Sequence, residues 1–279
     1  MALAGKWLEG GLRLVRPVGS GSHSVAYLAV TPGGQPCTVK VFQPSMLAHA
    51  QRELEVGQRF RHPRLARAVR LTWANDCPAL VMTWVPGNTL FAHYRRRPAM
   101  HCEPYAYLTT LADVLEGLDY MHGLGVLHRD VKPDNILVQP SGQATLVDYD
   151  LSGPLDEPLS GQVGTPAFSS PEAQAGGGLG PESDLYGVGL LLYWGLWAAL
   201  PEPGHPPQPV ASDLRPPPAL RAQAQALADD LLRPLAAGRP SSASAVREQL
   251  LRLRAQCSQP QPEAAPLHSH SQDSQGSAG

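Results

Sequence analysis

The chain is poor in charged and aromatic residues, and neither sign of charge dominates. Charged residues make up 16% and aromatic residues 6% of the 279 residues, and the formal net charge is -2 at pH 7. Proteins that bind nucleic acid or an anionic membrane through phosphate groups carry a strongly basic surface. The near-neutral balance argues against that class, and we expect no nucleic acid among the partners.

Cysteine is scarce, and the four cysteines are scattered along the chain. They are Cys37, Cys77, Cys102 and Cys257. This spacing excludes the paired pattern of a zinc site and the dense framework of a small secreted domain. The first residues, "MALAGKWLEGG", lack the long apolar core of a secretory signal. We therefore expect a reducing, cytoplasmic location.

Long hydrophobic runs are also lacking. The longest, "LYGVGLLLYWGLWAAL" at residues 185–200, is shorter than the ~20 residues that span a bilayer. It predicts a buried core helix and no membrane span. Residues 255–279 are rich in Gln, Ser and Pro, and this composition predicts a disordered tail.

The hydrophobic patterns change along the chain from strands to helices. Apolar segments separated by Gly-rich turns predict three strands within residues 12–42, and residues 48–63 predict an amphipathic helix that stops at a proline. Two further strands are predicted at residues 67–74 and 78–85. Leucines spaced by three and four residues predict a long helix over residues 105–124. After about residue 87 the pattern is mostly helical, so the sequence predicts a sheet-rich lobe followed by a larger helical lobe.

The segment "LHRDVKPDNILV", residues 127–138, concentrates polar side chains between aliphatic ends. Asp130 offers a carboxylate, Lys132 an ammonium and Asn135 a carboxamide, while Asp148 in "TLVDYD" supplies a second carboxylate. Phosphoryl transfer requires a base for a hydroxyl proton, a cation for phosphate charge and oxygen ligands for a hard metal ion. The pattern therefore indicates a phosphotransferase that uses magnesium.

Residues near the N-terminus complete a phosphate-binding pattern. Lys40 ends "CTVK" on the third predicted strand, where its ammonium can hold nucleotide phosphates. The turn that carries Gly19 and Gly21 can lie over those phosphates because no side chains intervene.

With these residues the chain resembles a eukaryote-type serine/threonine protein kinase, of the sort also found in bacteria. The resemblance covers residues 10–250 and rests on motifs in the family's order. They are "VGSGSHSV", "TVK", "HRDVKPDN", "DYD", "GTPAFSSPE" and "SDLYGVG". It implies a two-lobed α+β fold, with the small lobe at about 10–84, the hinge at about 83–88 and the helical lobe at about 88–250. In the family "DYD" is the metal-binding triplet and "GTPAFSSPE" marks the end of the activation segment.

The resemblance also implies the roles of the chemical groups. Asp130 would be the catalytic base, Lys132 would favour Ser or Thr as the acceptor, and Asn135 and Asp148 would bind Mg²⁺. Lys40 would contact the ATP phosphates and pair with a glutamate of the helix. That glutamate is predicted as Glu53, with Glu55 as an alternative on another face of the helix.

Further residues would surround the adenine of ATP. Backbone groups of Thr83 and Val85 would face the base, with Met82 at the back of the pocket. Val25 above and Leu137 below would sandwich it. The alternative for Val25 and Leu137 is that each is an ordinary core residue.

Several other positions match scaffold or regulatory residues of the family. Glu172 would form a buried ion pair with Arg239, Asp184 would brace the catalytic loop, and His128 would be a packed scaffold residue. Two more positions would serve the activation segment: Thr165 would hydrogen-bond near Asp130 and Lys132, and Arg129 resembles the arginine that pairs with a phosphorylated segment.

The most consequential departure from the family pattern is Asp150, where glycine is usual. Asp reaches left-handed backbone angles at modest cost, and we therefore expect Asp150 to be tolerated in place of the usual glycine. We predict an active kinase that acts on a protein substrate and also on itself, with Ser152, Ser160 and tail serines as candidate acceptors. The alternatives are a pseudokinase that binds nucleotide as a scaffold and, less favoured by "KPDN" and "GTPAFSSPE", a small-molecule phosphotransferase. The sequence does not fix the oligomeric state.

Overall fold

The first part of the fold is an antiparallel sheet with one helix. The structure is a computed structural model that describes residues 3–95, 97–155, 157, 166–202 and 216–257. Within those residues six strands form this sheet in the order β1-β2-β3-β4-β6-β5. They are β1 Trp7–Leu8, β2 Leu12–Ser20, β3 Ser24–Val30, β4 Pro36–Phe42, β5 Ala68–Ala74 and β6 Cys77–Thr83. Helix α1, Leu47–Gly57, lies between β4 and β5 in the chain. The predicted strands are all present.

Strand β4 divides its side chains between two hydrophobic cores. Cys37, Val39 and Val41 belong to the smaller cluster, which lies among the strands. Phe42 belongs to the larger cluster, which extends into the helical part of the chain. Because successive side chains of a strand point to opposite faces, Lys40 shares the face of Phe42. The strand therefore directs its lysine toward the larger core.

Helix α1 is shorter than the sequence predicts. It ends at Gly57, six positions before Pro63, which was expected to stop it. A Cβ at Gly57 would lie 2.8 Å from the Cβ of Ala68 and 3.1 Å from the Tyr149 ring. Beyond the helix end the ring of Phe60 is fully buried, 4.8 Å from that of Tyr149 in an edge-on contact. The chain leaves the helix early because this packing needs a turn.

The second part of the fold is mostly helical. Its helices are α2 Leu90–Tyr94, α3 Ala99–Cys102, α4 Pro104–Gly123, α5 Pro171–Gln174, α6 Pro181–Trp197, α7 Pro218–Leu231 and α8 Ala243–Ala255. The long helix predicted over residues 105–124 is α4. Its periodic leucines are all fully buried, namely Leu108, Leu111, Leu115 and Leu118.

The apolar run at residues 185–200 forms most of α6 and is a buried core helix, as predicted. The hydroxyl of Tyr107 on α4 donates to the carbonyl oxygen of Leu191 at 2.5 Å. Gly195 faces the Tyr107 ring so closely that a Cβ there would overlap it. Across the described ranges no helix has both the length and the apolarity needed to span a membrane.

Short strands interrupt the helical part, and the sequence did not predict them. They are β7 Asn88–Thr89, β8 Val126–Leu127, β9 Ile136–Val138, β10 Ala144–Leu146 and β11 Gly153–Pro154. Strand β9 pairs with β7 and β10, and β11 pairs with β8. Strands of two or three residues are too short to show an alternating pattern. They frame the segment from residue 128 to residue 135, which carries the polar motif.

One sequence prediction concerns a part of the chain that lies mostly outside the described residues. The predicted tail begins at residue 255, the last residue of α8, and only residues 255–257 of it are described. Of the Pro-rich segment before α7, residues 203–215 lie outside the description. The four cysteines form no disulfide.

Candidate active site

Lys40 joins two carboxylates from distant parts of the chain. Its Nζ donates to Glu53 Oε2 at 2.7 Å and to Asp148 Oδ1 at 2.6 Å. Glu53 lies on the inner face of α1 and is fully buried, whereas Glu55 is exposed. Of the two glutamates left open by the sequence, Glu53 is the one that contacts the lysine. The other Glu53 oxygen accepts the backbone N–H of Tyr149 at 3.3 Å.

Burial and charge compete in setting the pKa values of this trio. Burial alone lowers the pKa of Lys40, but the charges of Glu53 and Asp148 outweigh it, so the net pKa is raised and the ammonium stays charged. Burial raises the pKa of Asp148, but Lys40 outweighs it, and the net pKa of that carboxyl is lowered. Burial raises the pKa of Glu53 to about 7 against the attraction of Lys40. Of these two carboxyl groups, the fully buried Glu53 therefore has the higher pKa.

A second cluster forms in the loop between β8 and β9. Asp130 Oδ2 accepts from Lys132 Nζ at 2.6 Å and from Asn135 Nδ2 at 2.9 Å. Asn135 Nδ2 also donates to the backbone oxygen of Asp130 at 2.9 Å. Since both donated hydrogen bonds use the amide nitrogen, the amide oxygen of Asn135 is left as an acceptor. Residue Val147 is tied to the same place, because its N–H donates to the Asn135 carbonyl oxygen at 2.9 Å. This brings Asp148 beside the cluster.

Asp184, at the start of α6, holds the backbone of the loop between β8 and β9 in place. Its Oδ2 accepts the backbone N–H of His128 at 2.9 Å, and its Oδ1 accepts that of Arg129 at 2.7 Å. Its Oδ2 also lies 2.8 Å from His122 Nε2. Burial raises the pKa of Asp184, but the His122 contact outweighs it, and the net pKa is lowered. The ionised carboxylate fixes Arg129, whose φ is 66°. A residue with positive φ is strained unless its surroundings hold it.

His128 lies in the packed interior. It is fully buried, its ring meets the Tyr149 ring edge-on at 5.9 Å, and its carbonyl oxygen accepts the Ser152 hydroxyl at 3.1 Å. This surrounding suits a scaffold residue. Ser152 is itself fully buried. Its hydroxyl points inward in this structure, and its role as a phosphate acceptor stays a prediction.

The residues predicted to contact adenine lie on β3, on β6 and the segment that follows it, and on β9. Met82 on β6 is buried, and Thr83 is held by Arg67, whose carbonyl oxygen accepts the Thr83 N–H at 2.9 Å. Val25 on β3 packs against the smaller core cluster. Leu137 on β9 is half-buried and joins neither hydrophobic cluster of the described residues. The core alternative thus applies better to Val25 than to Leu137.

The glycines of the β2–β3 turn are not explained by packing. A Cβ at Gly19 would meet no atom within 4 Å, and at Gly21 only Ser24, the nearest atom at 3.7 Å. The Gly21 N–H donates to the Ser24 carbonyl oxygen at 2.9 Å, which closes the turn. The space over this turn therefore stays open, as a phosphate-binding loop requires.

The backbone near Asp150 differs from the expectation. The left-handed residue of "DYD" is Asp148, with a φ of 69°, and Asp150 is not among the described residues with positive φ. The Asp150 backbone N–H contributes to the lowered pKa of the Asp148 carboxyl. Asp150 Oδ1 is buried and has no hydrogen-bond partner among the described residues. In this structure the backbone angles at position 150 therefore do not require glycine.

Glu172 and Arg239 form the ion pair that the sequence predicts. Arg239 donates to Glu172 Oε1 at 2.7 Å and to Oε2 at 2.9 Å, and the Arg239 side chain is fully buried. The Ser183 hydroxyl also donates to Glu172 Oε1 at 2.7 Å. Thr165 and Ser160, which the sequence connects with this segment, lie outside the described residues.

Sequence reasoning missed two residues at the edge of the site. Glu157 in the activation segment forms a two-point ion pair with Arg52 of α1. In the sequence, the only clues to a role at the site were that Arg52 immediately precedes Glu53 and that Glu157 closely follows "DYD". Neither signal indicates which residues meet, since 105 positions separate them.

Comparisons with known proteins agree with this geometry. The family model described as "Protein kinase domain" matches residues 12–251. Serine/threonine-protein kinase pkn2 of Myxococcus xanthus is 31% identical over 218 residues, which cover 72% of this chain and 26% of that protein. Probable serine/threonine-protein kinase PkwA of Thermomonospora curvata is 31% identical over 193 residues, covering 66% of this chain and 26% of that protein.

A plant protein shows a similar degree of likeness. CBL-interacting protein kinase 19 of Oryza sativa subsp. japonica is 29% identical over 210 residues, covering 69% of this chain and 41% of that protein. The chain spans about a quarter of the length of the two bacterial relatives. The chain belongs to the protein kinase domain family and is similar to its bacterial serine/threonine kinases.

Proposed function

We propose that the chain is an ATP-dependent protein kinase that phosphorylates serine and threonine hydroxyls of proteins, itself included. The observation that carries the proposal is the trio of Lys40, Glu53 and Asp148. A lysine that contacts a helix glutamate and the metal-binding aspartate together is the arrangement that phosphoryl transfer by kinases requires. Family membership and the bacterial relatives favour an active enzyme over a scaffold that only binds nucleotide.

Asp130 would act as the base. Its carboxylate accepts a hydrogen bond from the acceptor hydroxyl and takes the proton as the hydroxyl oxygen bonds to the γ-phosphorus of ATP. The bond from that phosphorus to the β,γ-bridging oxygen breaks, and ADP leaves. Lys132, now hydrogen-bonded to Asp130, would donate to the transferred phosphoryl group and offset its charge. Its presence is the reason for preferring Ser and Thr acceptors.

Asn135 and Asp148 would hold Mg²⁺. The amide nitrogen of Asn135 is committed to Asp130, which leaves an oxygen for the metal, and the lowered pKa of Asp148 keeps that carboxylate ionised. Both groups therefore suit a hard cation. When bound, the ion would neutralise charge on the ATP phosphates.

The remaining predicted residues would bind ATP. Gly19 and Gly21 would cover the phosphates, and Lys40 would contact the α- and β-phosphates. The adenine would be bounded by Val25 and Leu137 and would meet the hinge backbone, with contacts from Thr83 and Val85. A cytoplasmic location and the absence of nucleic acid among the partners stay predictions of the sequence.

The proposal is tested by incubating the full chain with labelled ATP, Mg²⁺ and a generic protein acceptor such as casein. Replacing the base, Asp130→Asn, is expected to lower the rate by about 10²- to 10⁴-fold, and Asp148→Ala or chelation of the metal should do likewise. Asp76→Asn, at an exposed position in the β5–β6 turn, is the matched control and should keep the wild-type rate.

Equal phosphate incorporation by wild type and Asp130→Asn would refute the assignment of the base. A wild-type protein that is stabilised by ATP with Mg²⁺ in a thermal-shift assay but shows no turnover would be a nucleotide-binding scaffold. Mapping the phosphosites on the protein itself would identify the autophosphorylated residues.

A further inference from the structure

Two arginines from opposite sides of the active site meet one residue of the activation segment. Arg52 on α1 donates from Nη1 to Glu157 Oε1 at 2.9 Å and from Nη2 to Oε2 at 2.5 Å. Arg129 in the catalytic loop donates from Nη2 to the Glu157 carbonyl oxygen at 2.8 Å, and its Nη1 lies 3.8 Å from Oε2. The Arg129 side chain is only 1% exposed. A guanidinium so far from water needs an anion beside it.

An ordinary surface ion pair would be the simplest description, since Arg52 and Glu157 are each 39% exposed and such pairs stabilise little. The surroundings of Gly153 go beyond that description. A Cβ at this position would lie 2.6 Å from Arg52 Nη2, 2.7 Å from Glu157 Oε2 and 2.9 Å from Arg129 Nη1. The three charged groups thus converge on one point, and only glycine leaves them room.

Each arginine is next in sequence to a group of the proposed active site. Arg52 precedes Glu53, which contacts Lys40, and Arg129 precedes Asp130. The Glu157 carboxylate therefore connects α1 with the catalytic loop. Without it two guanidinium groups would face each other, and their repulsion would push α1 away from the loop.

We propose that Glu157 is a positioning residue that takes the place of an activation-segment phosphate. In kinases switched by phosphorylation, new arginine–phosphate pairs order this segment. Here the Glu157 carboxylate pairs with Arg52, offsets part of the positive charge of Arg129 and keeps Glu53 in contact with Lys40. The chain is then fully active with no phosphate on residues 148–172. This inference rests on the proposed function and concerns the regulation of the same site.

The test compares initial rates of the full chain after phosphatase treatment, with removal of phosphate checked by mass spectrometry. Stripped wild type is expected to keep its kcat within about twofold. Glu157→Gln should lower kcat at least about tenfold and change the KM for ATP less than about threefold, because the adenine contacts are untouched. Glu157→Asp keeps the charge and should restore part of the loss. Glu248→Gln, an exposed glutamate on α8, is the matched control and should leave kcat unchanged.

A double-mutant cycle with Arg52→Gln separates positioning from a general loss of folding. If the two residues act through one contact, the double variant should have a kcat at least as high as that of Glu157→Gln alone, because losing Arg52 also removes its repulsion of Arg129. Additive losses would contradict the proposal. So would a Glu157→Gln kcat within twofold of wild type, or a tenfold loss of wild-type kcat on phosphatase treatment.

The turnover of wild type distinguishes a failure of the proposed kinase function from a failure of the positioning role of Glu157. If wild type has no turnover at all, the proposed function fails, and hydrogen exchange of the α1 amides then tests the contact itself. Faster exchange of residues 47–57 in Glu157→Gln than in wild type would support the positioning role. Equal exchange in the two proteins would overturn it.

Discussion

The Glu172–Arg239 ion pair makes a quantitative prediction about stability. Glu172 lies in α5 at the end of the activation segment, and its side chain is 16% exposed while that of Arg239 is fully buried. Burial alone raises the pKa of Glu172, but the hydrogen bonds from Arg239 and Ser183 outweigh it and lower the pKa to about 2. Replacing Glu172 with Gln removes the charge and leaves the arginine without its anion.

The size of the effect follows from the pKa difference. A fall from the ordinary 4.5 to about 2 corresponds to about 3 kcal/mol of folding free energy at pH 7. This agrees with the roughly 3–5 kcal/mol lost when one partner of a buried ion pair is removed. Because the folded-state pKa is the lower one, the contribution is complete above about pH 4.5 and is lost as the pH falls toward 2.

The assay is urea unfolding of wild type and Glu172→Gln, followed by tryptophan fluorescence at several pH values. We expect Glu172→Gln to be less stable by about 3 kcal/mol at pH 7, and the gap to narrow to roughly half near pH 3. Glu248→Gln, in an exposed pair with Arg252, is the control and should lie within about 0.5 kcal/mol of wild type. A loss below about 1 kcal/mol for Glu172→Gln, or a gap that does not change with pH, would refute this reasoning.

Two further predictions concern the catalytic loop and the "DYD" segment. Asp184→Asn should lower kcat at least about tenfold with little change in the KM for ATP, because an amide NH₂ would oppose one of the N–H groups of His128 and Arg129. Steady-state kinetics with varied ATP measures this, and an unchanged kcat would show that the brace is dispensable. Asp150→Gly should keep kcat within about threefold of wild type, since position 150 does not take left-handed angles in this structure. A loss of more than tenfold in the same assay would show that the Asp150 carboxylate takes part in the reaction.

The sequence was enough to predict the local elements of the fold and the chemical groups of the site. Helix α4 was predicted to within a residue at each end because its leucines keep a helical period. The β7 to β11 strands and the early end of α1 were missed. Their cause is packing across the chain, as at Gly57, where Ala68 and Tyr149 leave no room for a side chain.

The sequence by itself determined which chemical groups are present and, within residues 130–135, which of them meet. Asp130, Lys132 and Asn135 lie within six positions, so a short loop is enough to bring them together. Only the tertiary structure decided the contacts across long separations. Lys40 and Asp148 are 108 positions apart, and Arg52 and Glu157 are 105 apart. Such contacts depend on how the sheet, α1 and the helical part pack, since no local preference specifies them.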